Sequence, residues 1–219
     1  MKNAIRALSL LVVSLAPQIA DGDTHSDSVL VNLTVSVFND AGASPSVMSQ
    51  AQRRATLILR RAGITLVWLD CGAPHHPPPN SGCSDLSFPQ HLSVRLVSAS
   101  GPASADTFGQ TFQNAAGEGN YALVYFGSLK SSNTTEVIRI GDLLGCVIVH
   151  ELGHLLLGPD SHSAAGLMSA VWQANELRQA SQGILFFTNN QQDRIRARCS
   201  TAQAKVRKEP SPSSTGSGR

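Results

Sequence analysis

The sequence predicts one α/β (α+β) domain: a mixed, twisted sheet of about five strands, a buried helix and a helical C-terminal subdomain. Three observations predict it. Short strand-like segments recur at residues 29–38, 64–69, 91–97, 107–112 and 121–126. Longer stretches at 45–62 and 141–157 carry helical signals, the second apolar on nearly every side. After residue 158 the patterns are helical, and this order of elements describes a single mixed α/β domain.

Taken in order, Met1–Arg6 carries two positive charges, and ALSLLVVSLA follows at residues 7–16. A charged start and an apolar run of about ten residues, too short to span a bilayer, read as a signal peptide over residues 1–20. The expectation is export to an extracellular or periplasmic space, with a mature domain at 21–204. No later segment is expected to span a membrane. Residues 29–38 (VLVNLTVSVF) alternate through Val29, Val31, Leu33, Val35 and Val37 as a half-buried strand. A helix over 45–62 places Val47, Met48, Ala51, Ala55, Ile58 and Leu59 on one face, and Gly63 closes it. Arg53, Arg54, Arg60 and Arg61 are expected on its solvated side.

Residues 64–69 (ITLVWL) are almost wholly apolar, which predicts an interior strand. The segment 71–90 holds five prolines and predicts an irregular loop, with His75 and His76 exposed on it. A third strand follows at 91–97 and a short polar edge strand at 107–112. The apolar YALVYF of 121–126 reads as a central strand. Helices are expected over 141–157, 172–182 and 189–198. The tail 205–219 (KVRKEPSPSSTGSGR) has the composition of a disordered segment.

Composition narrows the function classes. Of 219 residues, 42% are hydrophobic, enough for a packed core. Without Lys2 and Arg6, 15 basic residues face 15 acidic ones, so the body lacks the basic footprint of a nucleic-acid binder. Cys71, Cys83, Cys146 and Cys199 are even in number, and an oxidising compartment favours disulfides. Cys71–Cys83 and Cys146–Cys199 are the expected pairs. No C-x-x-C occurs, which argues against a cysteine metal knuckle.

The chemistry concentrates at residues 147–158, VIVHELGHLLLG. His150 and His154 stand four apart on a helix, so both imidazoles leave the same face and can share one metal ion. Glu151 is offset enough to reach a water beside that ion. Charged groups in so apolar a helix would be costly without partners. Gly158 ends the helix, His162 follows, and Met168 comes soon after.

This run resembles the metzincin class of zincin metalloproteases, whose helix and loop carry HExxHxxGxxH before a methionine turn. It is most similar to predicted secreted bacterial metalloproteases sharing HELGHLLLG…HS…GLM. The spacing departs from the class. The positions usually held by the glycine and third ligand are Leu157 and Asp160, whereas Gly158 and His162 carry those residue types. Either a longer loop makes His162 the third ligand, the preferred reading, or Asp160 takes that place. The resemblance implies an active-site helix and a Zn2+ cofactor held by His150, His154 and His162. It also implies Glu151 as general base, Met168 below the metal, and the edge strand at 107–112 as the pairing partner of an extended substrate. The expected activity is that of a secreted, monomeric zinc endopeptidase acting on protein or peptide. A catalytically inactive zinc-stabilised binding module, or a zinc hydrolase of another bond, is the alternative.

Overall fold

The computed structural model describes residues 31–72, 81–99, 107–132 and 138–208. The expected signal peptide, the loop histidines His75 and His76, and the tail beyond residue 208 lie outside them. The first strand, β1 (Val31–Asn39), buries Val31, Leu33, Val35 and Val37 on alternate positions. Helix α1 (Pro45–Arg61) starts at the Ser44 N-cap, whose hydroxyl accepts the Val47 N–H at 3.4 Å, with Pro45 in the first turn. Strand β2 (Ile64–Asp70) returns parallel to β1, in register from Val31 opposite Ile64 to Val37 opposite Asp70. Strands β3 (His91–Val97), β4 (Gly109–Phe112) and β5 (Tyr121–Tyr125) complete a sheet ordered β2-β1-β3-β5-β4. The pairings are parallel except that β4 runs antiparallel to β5. The fold class is therefore the expected one, a mixed five-stranded α/β sheet.

The two edges of this sheet differ in kind. The short polar strand does lie at an edge, as β4. The apolar ITLVWL strand does not lie inside the sheet as expected; β2 is the other edge, and Val67 is 45% exposed. Its apolar character serves packing across α1, not pairing on two sides. Leu66 and Trp68 pack against the core, and the Trp68 indole N–H donates to Thr56 Oγ1 of α1 at 3.0 Å.

A short helix, α2 (Phe126–Ser132), follows β5 directly. Phe126 opens that helix and does not extend the strand. Helix α3 (Ile140–Leu157) is buried along nearly its whole length and packs on α1, β4 and β5. It is long and apolar enough to cross a membrane, contrary to the expectation that no later segment is, yet most of it is enclosed by the rest of the domain. Burial on all sides accounts for its apolar character equally well. Helices α4 (Ala174–Ser181) and α5 (Asn189–Lys208) form the C-terminal part. Helix α5 runs past the expected end at Arg198, so the first residues of the expected tail are helical.

Helix α1 packs on both the sheet and α3, while Arg53, Leu57, Arg60 and Arg61 stay exposed. Arg54 is only 6% exposed, not solvated as expected; its Nη1 donates to the Gly183 carbonyl at 2.6 Å. The Cys71–Cys83 disulfide is present, closing the loop after β2. The second expected pair is not: Cys146 and Cys199 are free and buried. Cys146 on α3 lies against Arg54 of α1.

Candidate metal centre

Helix α3 presents His150 and His154 one turn apart, as their spacing requires. Their Nε2 atoms are 3.1 Å from each other. Around a tetrahedral ion with Zn–N bonds of about 2.0–2.1 Å, two such nitrogens stand about 3.3 Å apart. Gly158, at φ 88°, ends the helix, and the chain turns through Pro159 and Asp160. The turn carries Asp160 out to solvent and brings His162 back over the helix. One ligand atom from each of His150, His154 and His162 lies within 4.8 Å of the others. Asp160 is not in that group. The two residues added to the loop place the histidine, and not the aspartate, beside the helix pair.

The remaining ring nitrogens are held from behind. His150 Nδ1 lies 2.7 Å from the Leu167 carbonyl, and His154 Nδ1 lies 2.8 Å from Ser161 Oγ. With Nδ1–H donated in both rings, both Nε2 atoms are free to ligate. Burial drives the His150 and His154 pKa values down, to about 4 and about 3. The neighbouring histidines push the same way. Both rings are therefore neutral at pH 7, the form a metal needs. The donor set fits Zn2+.

Glu151 projects beside them, 5% exposed, into a cleft of about 630 Å³ that the histidines also line. Burial raises its pKa from 4.5 to about 8. The cleft is also lined by β4 with the two residues before it and by the segment 169–172. At the wall, the β4 backbone passes so near Glu151 that a Cβ on Gly109 would stand 2.5 Å from its carboxyl carbon. Met168 is fully buried beneath the helix, and its Sδ would be 2.5 Å from a Cβ at Gly153, the residue before His154. The methionine thus packs against the helix that carries His150 and His154.

Against known proteins, no family model matches the sequence, and no curated protein matches it. Solved structures do. A zinc-dependent peptidase from Methanocorpusculum labreanum superposes with a TM-score of 0.51 at 12% identity, over 74% of this chain and 99% of that one. The two chains share a fold. Archaemetzincin from Methanopyrus kandleri gives a TM-score of 0.49 at 14% identity, over 81% of this chain and 99% of that chain. Metalloproteinase-II from Bacteroides fragilis gives 0.44 at 16%, over 78% of this chain and 53% of that chain. Identities this low speak to architecture alone.

Several residues at the centre have no signal in the sequence. Trp172 donates its indole N–H to the Leu167 carbonyl at 3.1 Å, sharing that acceptor with His150. Gln113 Nε2 donates to the His154 carbonyl at 2.6 Å, tying the loop after β4 to α3. Ser161, Gln191 and Gly109 join them. Each matters through a contact that depends on how its loop or strand folds back on the site, so no spacing rule could have found it.

Proposed function

We propose that this chain is an exported zinc-dependent endopeptidase. The observation that carries the reading is the grouping of three imidazoles with Glu151 at the wall of a cleft edged by an open strand. In this reading His150, His154 and His162 hold the ion, and Asp160, outside the group, leaves a fourth position free. When bound, zinc supplies Lewis-acid polarisation of water and carbonyl, and its charge favours the ionised form of Glu151. Glu151 takes the proton from the attacking water on a carboxylate oxygen and delivers it to the leaving amine nitrogen. Strand β4 pairs with β5 and, among the described residues, with no other strand, which makes its outer edge the place for an extended substrate to pair. The zinc-peptidase fold supports the same class of chemistry. The leader-like start of the sequence and the Cys71–Cys83 disulfide support export.

Casein digestion by the purified protein, with and without a chelator, tests the activity. Glu151→Gln is expected to retain zinc and lose hydrolysis by a factor of about 10² or more. A variant that binds zinc and digests casein at the wild-type rate rejects the mechanism.

A further inference from the structure

The third histidine comes from a loop, and loop ligands must be held by something else. His162 is exposed, so packing around its own side chain does little to fix it. Its neighbours on both sides are engaged by one residue of a different element. Gln191, 5% exposed, sits in the first turn of α5. Its Oε1 accepts the Thr188 N–H at 3.0 Å while its own N–H donates to Thr188 Oγ1 at 3.3 Å. That is a capping box, and it consumes the acceptor end of the side chain. The donor end turns the other way. Gln191 Nε2 reaches Ser163 Oγ at 3.1 Å and, more weakly, the Ser161 carbonyl at 3.5 Å.

The two serines carry the hold onward. Ser161, 3% exposed, presents its hydroxyl to His154 Nδ1 at 2.8 Å. Ser163 donates its hydroxyl to the Ala165 carbonyl at 2.8 Å and its N–H to the Met168 carbonyl at 2.9 Å. One amide from the C-terminal helix therefore brackets His162 and connects with the residue that fixes the His154 tautomer.

We infer that Gln191 and Ser161 are positioning residues of the metal centre: Gln191 clamps the loop that presents His162, and Ser161 orients His154. The inference rests on the zinc-peptidase reading, and it makes α5 part of the site and not merely of the scaffold. Groups that orient metal ligands typically contribute 10–100-fold to affinity.

Gln191→Glu separates the clamp from the cap. Glutamate at this helix position keeps the acceptor that the capping box uses and lacks both Nε2 donors. Zinc affinity is measured by chelator competition, the visible spectrum is recorded with cobalt in place of zinc, and the melting temperature of the metal-free protein is followed in parallel. Gln191→Glu is expected to weaken zinc by about 10-fold and to change the cobalt bands, a larger effect than any fall in metal-free stability. Ser161→Ala should do the same, and Ser161→Thr, which keeps the hydroxyl, should restore wild-type behaviour. Wild-type affinity and cobalt bands in both Gln191→Glu and Ser161→Ala overturn the inference alone. So does a loss of affinity matched by an equal loss of metal-free stability. A wild-type protein that takes up no zinc overturns the zinc reading itself, and the inference with it.

Discussion

The carboxyl group of Glu151 lies against the backbone of Gly109: a Cβ there would stand 2.5 Å from both its carboxyl carbon and Oε1. One residue is on the central helix and the other on the edge strand, so the glutamate's place in the cleft is set by where the sheet ends. Gly109→Ala should push the flexible carboxyl aside and leave the fold intact. A displacement of about 1 Å can cost about 10²-fold in rate. Under the proposed function, casein digestion is expected to fall by that order while zinc content and melting temperature stay at wild-type values. Unchanged activity would show that this packing does not place the carboxylate.

Histidine and aspartate compete for the third position in the sequence, and the fold separates them. His162→Ala is expected to weaken zinc by about 10²-fold or more, and Asp160→Ala to leave it within about twofold. Isothermal titration of each metal-free variant with zinc checks this. Equal losses from both would contradict the loop geometry.

Stability of the metal-free protein should peak near neutral pH. His150 and His154 titrate near 4 and 3 when folded against an ordinary value of 6.5, so the unfolded chain binds more protons between. Stability therefore rises with pH up to about 6.5. Glu151 acts oppositely, because its folded value of about 8 exceeds 4.5 and stability falls between those limits. Two histidines outweigh one glutamate below about 6.5, which leaves a maximum near that pH from these groups. Urea midpoints measured with chelator across pH 4–9 should show it, and Glu151→Gln should remove the alkaline fall. A wild-type midpoint still climbing at pH 8 would reject the assignment.

The cysteines divide into two kinds. Cys83→Ser is expected to cost about 3 kcal/mol, the entropy of a loop of this length released in the unfolded chain. Cys146 and Cys199 are buried and free, and burial raises both thiol pKa values, Cys199 to about 11. A thiol reagent should therefore modify neither in the native protein and both after denaturation. Rapid native labelling would show that the α3 and α5 environments open.

Much of the architecture is legible in the sequence because it follows from local periodicity. Alternation through Val31, Leu33, Val35 and Val37 marks β1 wherever the strand ends up. An apolar stripe on 45–62 marks α1, and His150 with His154 share a face because helices repeat every 3.6 residues. Composition misleads where it has to stand for position. An apolar strand can be interior or packed on one face at an edge, and β2 is the second. Arg54 sits between α1 and α3 because two helices cross there, which the sequence of α1 does not record. Whether Cys146 and Cys199 pair depends on where α3 and α5 place them, and an even count of cysteines does not record that.

The chemistry is written in the linear chain: two imidazoles and a carboxylate on an apolar helix, a third histidine within reach, and the order of elements around them. Three things came only with folding. These are which loop residue faces the helix pair, how deeply Glu151 is buried, and that a glutamine of α5 brackets His162. Covalent geometry fixes relations within one turn or one strand. Distance, burial and the pKa shifts that follow arise only when segments far apart in the chain exclude water together.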